Sequence, residues 1–269
     1  MSNNKKKIGI IGLGYVGNAV KNWFDSRGDC NIFYYDKFKN IGSVSEVNNA
    51  DTIFISVPTP FHKDGRGYDD SAVRESLENI EDEKIAVIKS TILPGSSDLF
   101  QKEHPKKTIL FNPEFLREKT AREDHLNPDI QIVGYVREND KKTAEKVIAI
   151  LPPAPTIKII KARETELVKY WVNSFLATRV IFANEMYDLA KALGGIDYEV
   201  VKNCVAADSR VGGSHFDIFT DGYRGYGGAC LPKDTKALIQ FAQKSEFPLR
   251  FLEKADEINE KLRREHKNS

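Results

Sequence analysis

A glycine-rich loop near the start of the chain has the spacing of a dinucleotide-phosphate site. Gly12, Gly14 and Gly17 lie between an apolar run and a helical pattern, and Asp36 follows 24 residues after Gly12. The first glycine permits a tight turn, the second lets the backbone approach a pyrophosphate, and the third allows close packing of helix on strand. The N-terminus of the helix then offers free N–H groups to the phosphates. An acid at the end of the second strand binds ribose hydroxyls and repels a 2′-phosphate, so the pattern predicts NAD rather than NADP.

Hydroxyl residues follow two further apolar runs. Thr59 lies in residues 56–60 and Thr91 in residues 89–95, both segments rich in Ser, Thr, Pro and Gly. Ordinary turn chemistry explains that composition, and spacing alone favours this interpretation. Doubly wound sheets bind ligands at the carboxyl ends of their strands, however, so the reactive end of the cofactor is expected near these segments.

The elements that must position these residues alternate through the first 160 residues. Short apolar runs separated by helical patterns predict an α/β fold, a Rossmann-type doubly wound parallel sheet. The predicted strands are residues 7–11, 32–35, 52–57, 85–89, 108–111, 131–133 and 156–160.

From Arg163 onward the strand pattern stops and an all-α domain is predicted. A long helix runs to about Leu193 and is closed by Gly194 and Gly195, and helices follow over residues 198–206, 234–244 and 249–264. The predicted boundary divides an NAD-binding domain, residues 1–162, from a helical domain, residues 163–269. The glycine-rich segment 207–232 has no regular pattern, and such long segments are more often functional than idle.

Composition excludes several classes of protein. The chain has 269 residues, 41% hydrophobic and 29% charged, with 40 Lys and Arg against 39 Asp and Glu, giving a net charge of +1. A soluble globular protein fits these values, and no basic block exists to bind nucleic acid. No apolar run approaches the roughly 20 residues of a membrane helix, and no signal-peptide pattern is present, so a cytoplasmic location is expected. Cys30, Cys204 and Cys230 are an odd number without metal-ligand spacing, which predicts neither disulfides nor a metal site.

Three further sequence blocks identify a resemblance. They are FNPEFLRE at residues 111–118, ELVKYWVNSFLA at 166–177 and GYGGACLPKD at 225–234. Together with the dinucleotide loop, these blocks resemble the UDP-glucose/GDP-mannose dehydrogenase family, and CLPKDTK at 230–236 looks most like its UDP-glucose 6-dehydrogenase members. The resemblance extends from Lys7 to about Asn259.

The resemblance implies a four-electron oxidation of a nucleotide sugar, in which a C6 alcohol becomes an aldehyde and then a carboxylate while two NAD are reduced. A free aldehyde cannot lose hydride to give an acid, so a thiolate must first add to it and form a thiohemiacetal, which then yields a thioester. Cys230 lies where the family has this nucleophile. Cys30 and Cys204 are expected to be small buried hydrophobes.

The resemblance also implies roles for other polar residues. Lys169 would stabilise an oxyanion, Asn173 would donate a hydrogen bond to it from the same helix face, and Asp234 would orient a water and Lys169 for base catalysis. Glu114 or Glu118 would assist thioester hydrolysis, and Thr91 would position the water or the cofactor. Without the resemblance, Lys169 and Glu118 would be interpreted as solvated helix charges.

The resemblance also implies which residues bind the cofactor and which bind the substrate. The expected cofactor-binding residues are Gly12, Gly14, Tyr15, Val16, Gly17, Asp36, Lys37, Thr59, Thr91 and Glu118. The expected substrate-binding residues are Phe115, Leu116, Arg117, Lys169, Asn173, Arg210 and Gly227. The resemblance implies a homodimer formed through the long helix, with Arg210 reaching the partner's substrate, although the interval from Arg210 to Cys230 is a few residues longer than the family's.

The chain also departs from the family. Family members continue into a second α/β domain that holds much of the substrate nucleotide, and this sequence ends at Ser269. Two alternatives therefore remain: a two-electron dehydrogenase of a small hydroxy acid, and an NAD-binding module that needs a partner chain. Cys230 and the block at 111–118 argue against the hydroxy acid dehydrogenase, because a single hydride transfer needs no thiolate.

Overall fold

The computed structural model describes residues 5–267, which divide into two compact units. The first unit extends to Lys169 and the second begins at Tyr170, so the units part within one long helix.

The first unit is built on an eight-stranded sheet and a separate two-stranded hairpin. Its strands are β1 (Lys6–Ile11), β2 (Cys30–Asp36), β3 (Ile41–Gly42), β4 (Thr52–Ile55), β5 (Phe61–His62), β6 (Gly67–Tyr68), β7 (Ile85–Ile88), β8 (Thr108–Phe111), β9 (Ile130–Tyr135) and β10 (Thr156–Lys161). Its helices are α1 (Tyr15–Arg27), α2 (Val44–Val47), α3 (Ser71–Asn79), α4 (Ser96–Glu103), α5 (Ala121–Leu126) and α6 (Lys141–Ile148). One-turn 3-10 helices precede α5, at Glu118–Thr120, and α6, at Glu138–Asp140.

The strand order of the large sheet is β10-β9-β8-β7-β4-β1-β2-β3. From β1 the chain passes to β2 on one side and later to β4 on the other, which places a topological switch point at the carboxyl ends of β1 and β4. All seven predicted strands are present, and β1, β2, β4, β7 and β8 pair in parallel as expected.

The sheet is predominantly parallel, as predicted, and it contains two antiparallel pairs. β9 pairs antiparallel to β8 through Leu110 with Tyr135 and Phe111 with Gly134, and β3 pairs antiparallel to β2. β3, β5 and β6 are two residues long and too short to carry an apolar pattern, which is why the sequence did not predict them.

Both faces of the sheet are covered by apolar side chains. The four residues of β4 are all buried, and Phe54 lies against Phe24 of α1 with ring centroids 5.5 Å apart. A strand buried on both faces has a continuous rather than an alternating apolar pattern. The rigid sheet that results holds the loops at its carboxyl edge.

The second unit is helical. It contains α7 (Ala162–Leu193) from Tyr170 onward, α8 (Tyr198–Ala206), α9 (Leu231–Lys244) and α10 (Arg250–Lys267). These helices confirm the predicted pattern, with α8 at the predicted bounds. Between α8 and α9 the chain has no regular element except a 3-10 turn at Thr220–Gly222. Over residues 5–267, no helix has both the length and the apolar character needed to cross a membrane.

Candidate active site

The glycine loop after β1 has the conformation that a dinucleotide site requires. Gly12 has φ +86°, and a Cβ there would lie 2.5 Å from the Ser56 carbonyl oxygen. A Cβ on Gly17 would lie 1.9 Å from the Gly12 carbonyl oxygen, so α1 packs tightly on the loop. A Cβ on Gly14 would instead meet nothing within 4 Å. The space above the N-terminus of α1, where Tyr15 and Val16 begin the helix, is therefore open to a ligand.

Asp36, at the end of β2, is bound to this loop. One carboxylate oxygen accepts from the Leu13 N–H at 2.7 Å, and the other accepts from the N–H groups of Phe38 and Lys39 at 3.0 and 2.9 Å. Burial opposes ionisation, but these three N–H groups and the Lys39 ammonium outweigh it and lower the pKa of Asp36. The carboxylate is thus ionised and fixed beside the loop. Lys37 is exposed and pairs with Glu75 at 2.7 Å.

The segments after β4 and β7 are joined by a serine. The Ser90 hydroxyl donates to the Val57 carbonyl at 2.7 Å and accepts from the Val57 N–H at 2.9 Å. Thr59 and Thr91, the two predicted hydroxyl residues, are both buried in these segments. The Tyr68 hydroxyl of the β5–β6 hairpin donates to the Thr91 carbonyl at 3.2 Å. The structure therefore brings both threonines to the predicted edge of the sheet.

Glu114 and Lys169 form a buried ion pair in the first unit. The Lys169 Nζ lies 3.2 Å from Glu114 Oε1 and donates to the Glu114 carbonyl at 2.5 Å. The Leu116 N–H donates to Glu114 Oε2 at 2.7 Å, and the Phe115 ring lies 5.3 Å from the lysine ammonium. Burial alone raises the pKa of Glu114, but Lys169, the Leu116 N–H and Lys89 lower it below its ordinary value. The pair places a fixed carboxylate and a fixed ammonium side by side.

A second buried lysine interacts electrostatically with this pair and was not predicted from the sequence. Lys89 directly follows β7 and donates to Asn112 Oδ1 at 2.7 Å. A charged residue at the end of an apolar run is usually solvated, and only the structure shows that Lys89 is 4% exposed.

In the second unit, Asn173 and Asp234 are buried together. The Asn173 amide donates to Asp234 Oδ2 at 2.6 Å, and the Lys233 ammonium pairs with Asp234 Oδ1. Asn173 lies on the part of α7 that belongs to this unit. The structure thus gives Asp234, the predicted orienting carboxylate, a charge partner and a hydrogen-bond donor.

Cys230 is the N-cap residue of α9, directly before the first helical residue, Leu231. Its carbonyl accepts from the Asp234 N–H at 3.0 Å, and Pro232 lies in the first turn. The positive end of the helix dipole favours an anion at this position. In the described part of the chain, none of Cys30, Cys204 and Cys230 forms a disulfide. Cys204 is exposed and Cys30 half-buried, so the expectation that both are buried is wrong.

The glycine-rich loop that leads to Cys230 is anchored on α10. The Tyr226 N–H donates to Asn259 Oδ1 at 2.7 Å, and its hydroxyl donates to Asp256 at 2.8 Å. A Cβ on Gly225 would lie 2.4 Å from Asn259 Oδ1, and one on Gly227 would lie 2.4 Å from the Tyr223 hydroxyl. Close packing therefore explains both glycines, and the φ of +77° at Gly225 also favours glycine.

Three predicted residues lie at the surface. Arg117 pairs with Asp124 at 2.6 Å and keeps 75% of its side chain exposed, and Glu118 is exposed in the following 3-10 turn. The Arg210 side chain is 86% exposed and pairs with Asp208 at 2.6 Å. These residues are not gathered with the buried pairs of their own units.

The fold and these groups together define the class of protein. A doubly wound sheet with a glycine loop at its switch point is the organisation of dinucleotide-binding domains. Residues 33–151 match the NAD binding domain of the UDP-glucose/GDP-mannose dehydrogenase family, and residues 163–261 match its central domain. The chain belongs to this family, and its first unit contains the family's NAD-binding domain.

Known relatives agree with this assignment. UDP-glucose 6-dehydrogenase TuaD of Bacillus subtilis is 33% identical over 96% of this chain, which covers 64% of that protein. UDP-glucose 6-dehydrogenase AglM of Haloferax volcanii is 30% identical over 94% of this chain, which covers 69% of that protein. The solved UDP-glucose dehydrogenase of Pyrobaculum islandicum is 29% identical with a TM-score of 0.83 over 96% of this chain and 69% of that one. The chain spans from 48% to 69% of the length of such curated relatives.

Proposed function

We propose that this protein oxidises the C6 alcohol of a nucleotide sugar, UDP-glucose, to the carboxylate in two NAD-dependent steps. The observation that carries the proposal is Cys230 at the N-terminus of α9, four residues before the buried Asp234. A thiolate nucleophile is what distinguishes a four-electron from a two-electron alcohol oxidation.

The first unit fits an NAD molecule. The open space at Gly14 and the N-terminus of α1 suit a pyrophosphate, and the ionised Asp36 suits ribose hydroxyls. Tyr15, Val16 and Gly17 continue the loop, and Lys37, Thr59, Thr91 and Glu118 complete the proposed cofactor set. Bound NAD supplies the hydride acceptor for each of the two oxidations.

In the first oxidation, the chain removes a proton from the C6 hydroxyl. Lys169 and Asn173 stabilise the negative charge on the oxygen, and a water oriented by Asp234 accepts the proton. The C–H bond breaks with its electron pair leaving as hydride, and the alcohol becomes an aldehyde.

In the second oxidation, the Cys230 thiolate attacks the aldehyde carbon. A C–S bond forms, the carbonyl π electrons move to oxygen, and Lys169 and Asn173 hold the resulting oxyanion. Loss of a second hydride from the same carbon restores the C=O bond and leaves a thioester on Cys230.

Water then releases the product. Glu114, ionised beside Lys169, takes a proton from a water that Thr91 or Glu118 helps to position, and the hydroxide attacks the thioester carbon. The C–S bond breaks, Cys230 leaves as a thiolate, and the sugar acid is formed. Phe115, Leu116, Arg117, Arg210 and Gly227 are proposed to contact the substrate.

The proposed assembly is a homodimer formed through α7. Beyond Lys169 this helix exposes an apolar stripe, defined as Trp171, Phe175, Phe182, Met186, Leu189 and Leu193. Spacings of three, four and seven residues keep the stripe on one side of the helix. Its C-terminal half lines an open groove of about 260 Å³ together with Val201 and Phe216. This exposed apolar stripe supports the proposed interface.

The product of the purified chain tests the proposal. Wild-type protein incubated with UDP-glucose and NAD is expected to give the sugar acid, identified by mass spectrometry. Cys230→Ala is expected to lower acid formation by at least about 1,000-fold, because the thioester cannot form. Cys204→Ala, which removes an exposed thiol of the same unit, is the matched control and is expected to retain activity. Full acid formation by Cys230→Ala would overturn the thioester route.

A further inference from the structure

Lys89 is a buried ammonium to which the reaction proposed above gives no role. It follows the last residue of β7 and is 4% exposed. Its Nζ donates to Asn112 Oδ1 at 2.7 Å and to the Asn112 carbonyl at 3.3 Å. Burying an ammonium group without a partner costs free energy, so a buried Lys89 requires a compensating interaction.

Asn112 connects Lys89 to the strands on either side. It is fully buried, its N–H donates to the Ile88 carbonyl of β7 at 2.8 Å, and its amide donates to the Ile132 carbonyl of β9 at 2.7 Å. Pro113 follows and restricts the backbone, and Glu114 is the next residue. Any displacement of Asn112 would therefore be transmitted to Glu114.

The charges around Lys89 also converge on Glu114. Two buried ammonium groups, Lys89 and Lys169, act on this carboxylate, and both lower its pKa. Burial lowers the pKa of Lys89 to about 8, with Glu114 opposing the shift and Lys169 adding to it. Lys89 also acts on His125 of α5, whose pKa is lowered to about 3, chiefly by burial.

We propose that Lys89 is a positioning residue for thioester hydrolysis: its ammonium holds Asn112 at the end of β8 and thereby fixes Glu114, two residues further on, beside Lys169. This inference rests on the proposed function for its catalytic consequence, but the effect on Glu114 is a property of the protein alone. Lys89 acts through Asn112 and Glu114 and touches no reacting atom.

Three substitutions separate charge from hydrogen bonding and from packing. Lys89→Gln keeps a hydrogen-bond donor toward Asn112 and removes the charge, Lys89→Arg keeps the charge, and Lys89→Met removes both. Lys107→Met is the matched control, because Lys107 is 6% exposed and lies at the opposite end of β8. Circular dichroism and thermal unfolding identify variants that fold as the wild type does.

The first readout is the titration of Glu114 itself. Protein with carbon-13 in the glutamate carboxyl groups is titrated by NMR, and the Glu114 resonance is assigned as the one absent from Glu114→Gln. The midpoint is expected to move to higher pH in Lys89→Gln and Lys89→Met, and to return toward the wild-type value in Lys89→Arg. Lys107→Met is expected to leave it unchanged. An unchanged midpoint in all three Lys89 variants would overturn the proposal.

The second readout is the pH profile of acid formation. Lys89→Gln is expected to lower kcat by up to about 100-fold with little change in the KM for the sugar, and to move the acid limb of the profile to higher pH. A purely structural role would lower activity equally at all pH values, which would contradict the inference. If the wild type forms no acid while the Glu114 midpoint shifts as expected, the proposed function fails, and only the effect of Lys89 on Glu114 stands.

Discussion

At the scale of single residues, the polar groups of interest are buried and held by partners within their own unit. Glu114 lies against Lys169, and Asp234 lies against Lys233 and Asn173. Removing one member of a buried ion pair leaves an uncompensated charge and costs about 3–5 kcal/mol. Such groups keep a fixed orientation before any substrate arrives, which is what electrostatic stabilisation of a transition state requires.

Asp36 provides a prediction about cofactor choice. Replacing Asp36 by Asn removes a charged acceptor that holds three N–H groups and, as proposed, the ribose of NAD. Hydrogen bonds to a charged group are worth about 1.5–3 kcal/mol, so the KM for NAD is expected to rise by about 10- to 100-fold. Discrimination against NADP is expected to fall, because the repulsion of the 2′-phosphate is lost.

Steady-state kinetics with both cofactors measures this change. Asp25→Asn, on the outer part of α1 where Asp25 pairs with Lys21, is the matched control and is expected to leave both KM values unchanged. An unaltered ratio of NAD to NADP activity in Asp36→Asn would contradict the assignment of Asp36.

His125 gives a prediction about acid stability. Burial, with a smaller effect of Lys89, lowers its pKa to about 3, and among the described residues its Nε2 has no hydrogen-bond partner. An unfolded chain protonates this histidine below about pH 6.5, whereas the folded protein does not until about pH 3. Between about pH 6.5 and about pH 3, the unfolded state therefore binds more protons than the folded state. The free energy of unfolding falls as the pH falls through this range.

His125→Phe is expected to remove this contribution. Between pH 7 and 5, the wild type is expected to lose about 2 kcal/mol more stability than the variant, as measured by urea unfolding. Between pH 8 and 7 the two proteins are expected to change alike. An equal loss in both proteins between pH 7 and 5 would show that His125 is protonated in the folded state.

At the scale of elements, α7 has two different parts. Its first residues belong to the sheet-containing unit, where Glu166 accepts from the N–H groups of Gly95 and Ser97 at the start of α4. Its remaining length belongs to the helical unit and carries the apolar stripe. One continuous helix thus spans the division between the two units.

The apolar stripe of α7 predicts that the protein is a dimer. Phe182→Glu is expected to convert a dimer into a monomer of 30.4 kDa, measured by light scattering during size-exclusion chromatography. Burial of a phenylalanine contributes about 1.5–3 kcal/mol, and each dimer contains two copies, so its dissociation constant is expected to rise by at least about 100-fold. Lys191→Ala, on the opposite side of α7, is the control. A wild-type protein that is monomeric at every concentration would contradict the proposed dimer.

Some elements of the fold could be predicted from the sequence, and others could not. Long apolar strands and α8 follow from hydrophobic pattern and helix-end residues, which act locally. The antiparallel direction of β9 does not follow, because the pattern of a buried strand is the same in both directions. Likewise, the Gly12 loop was predicted from spacing, whereas the burial of Lys89 depends on chain segments distant in sequence.

At the scale of the whole molecule, the chain covers about half to two thirds of the length of its curated relatives. The described residues contain a dinucleotide loop, a buried Glu114–Lys169 pair and a cysteine at a helix N-terminus. Family membership was predicted from three sequence blocks and is confirmed by the matches to both family domains. The choice of sugar stays a prediction, since none of these residues distinguishes one nucleotide sugar from another.

The number of NADH molecules formed per UDP-glucose consumed distinguishes a four-electron from a two-electron oxidation. Purified protein is given limiting UDP-glucose and excess NAD, NADH is followed by absorbance, and remaining sugar is measured by chromatography. The proposed mechanism predicts two NADH per UDP-glucose, because oxidation passes through a thioester on Cys230 to the acid. One NADH per UDP-glucose, with aldehyde as the product, would contradict the four-electron mechanism, and no NADH would contradict the proposed substrate.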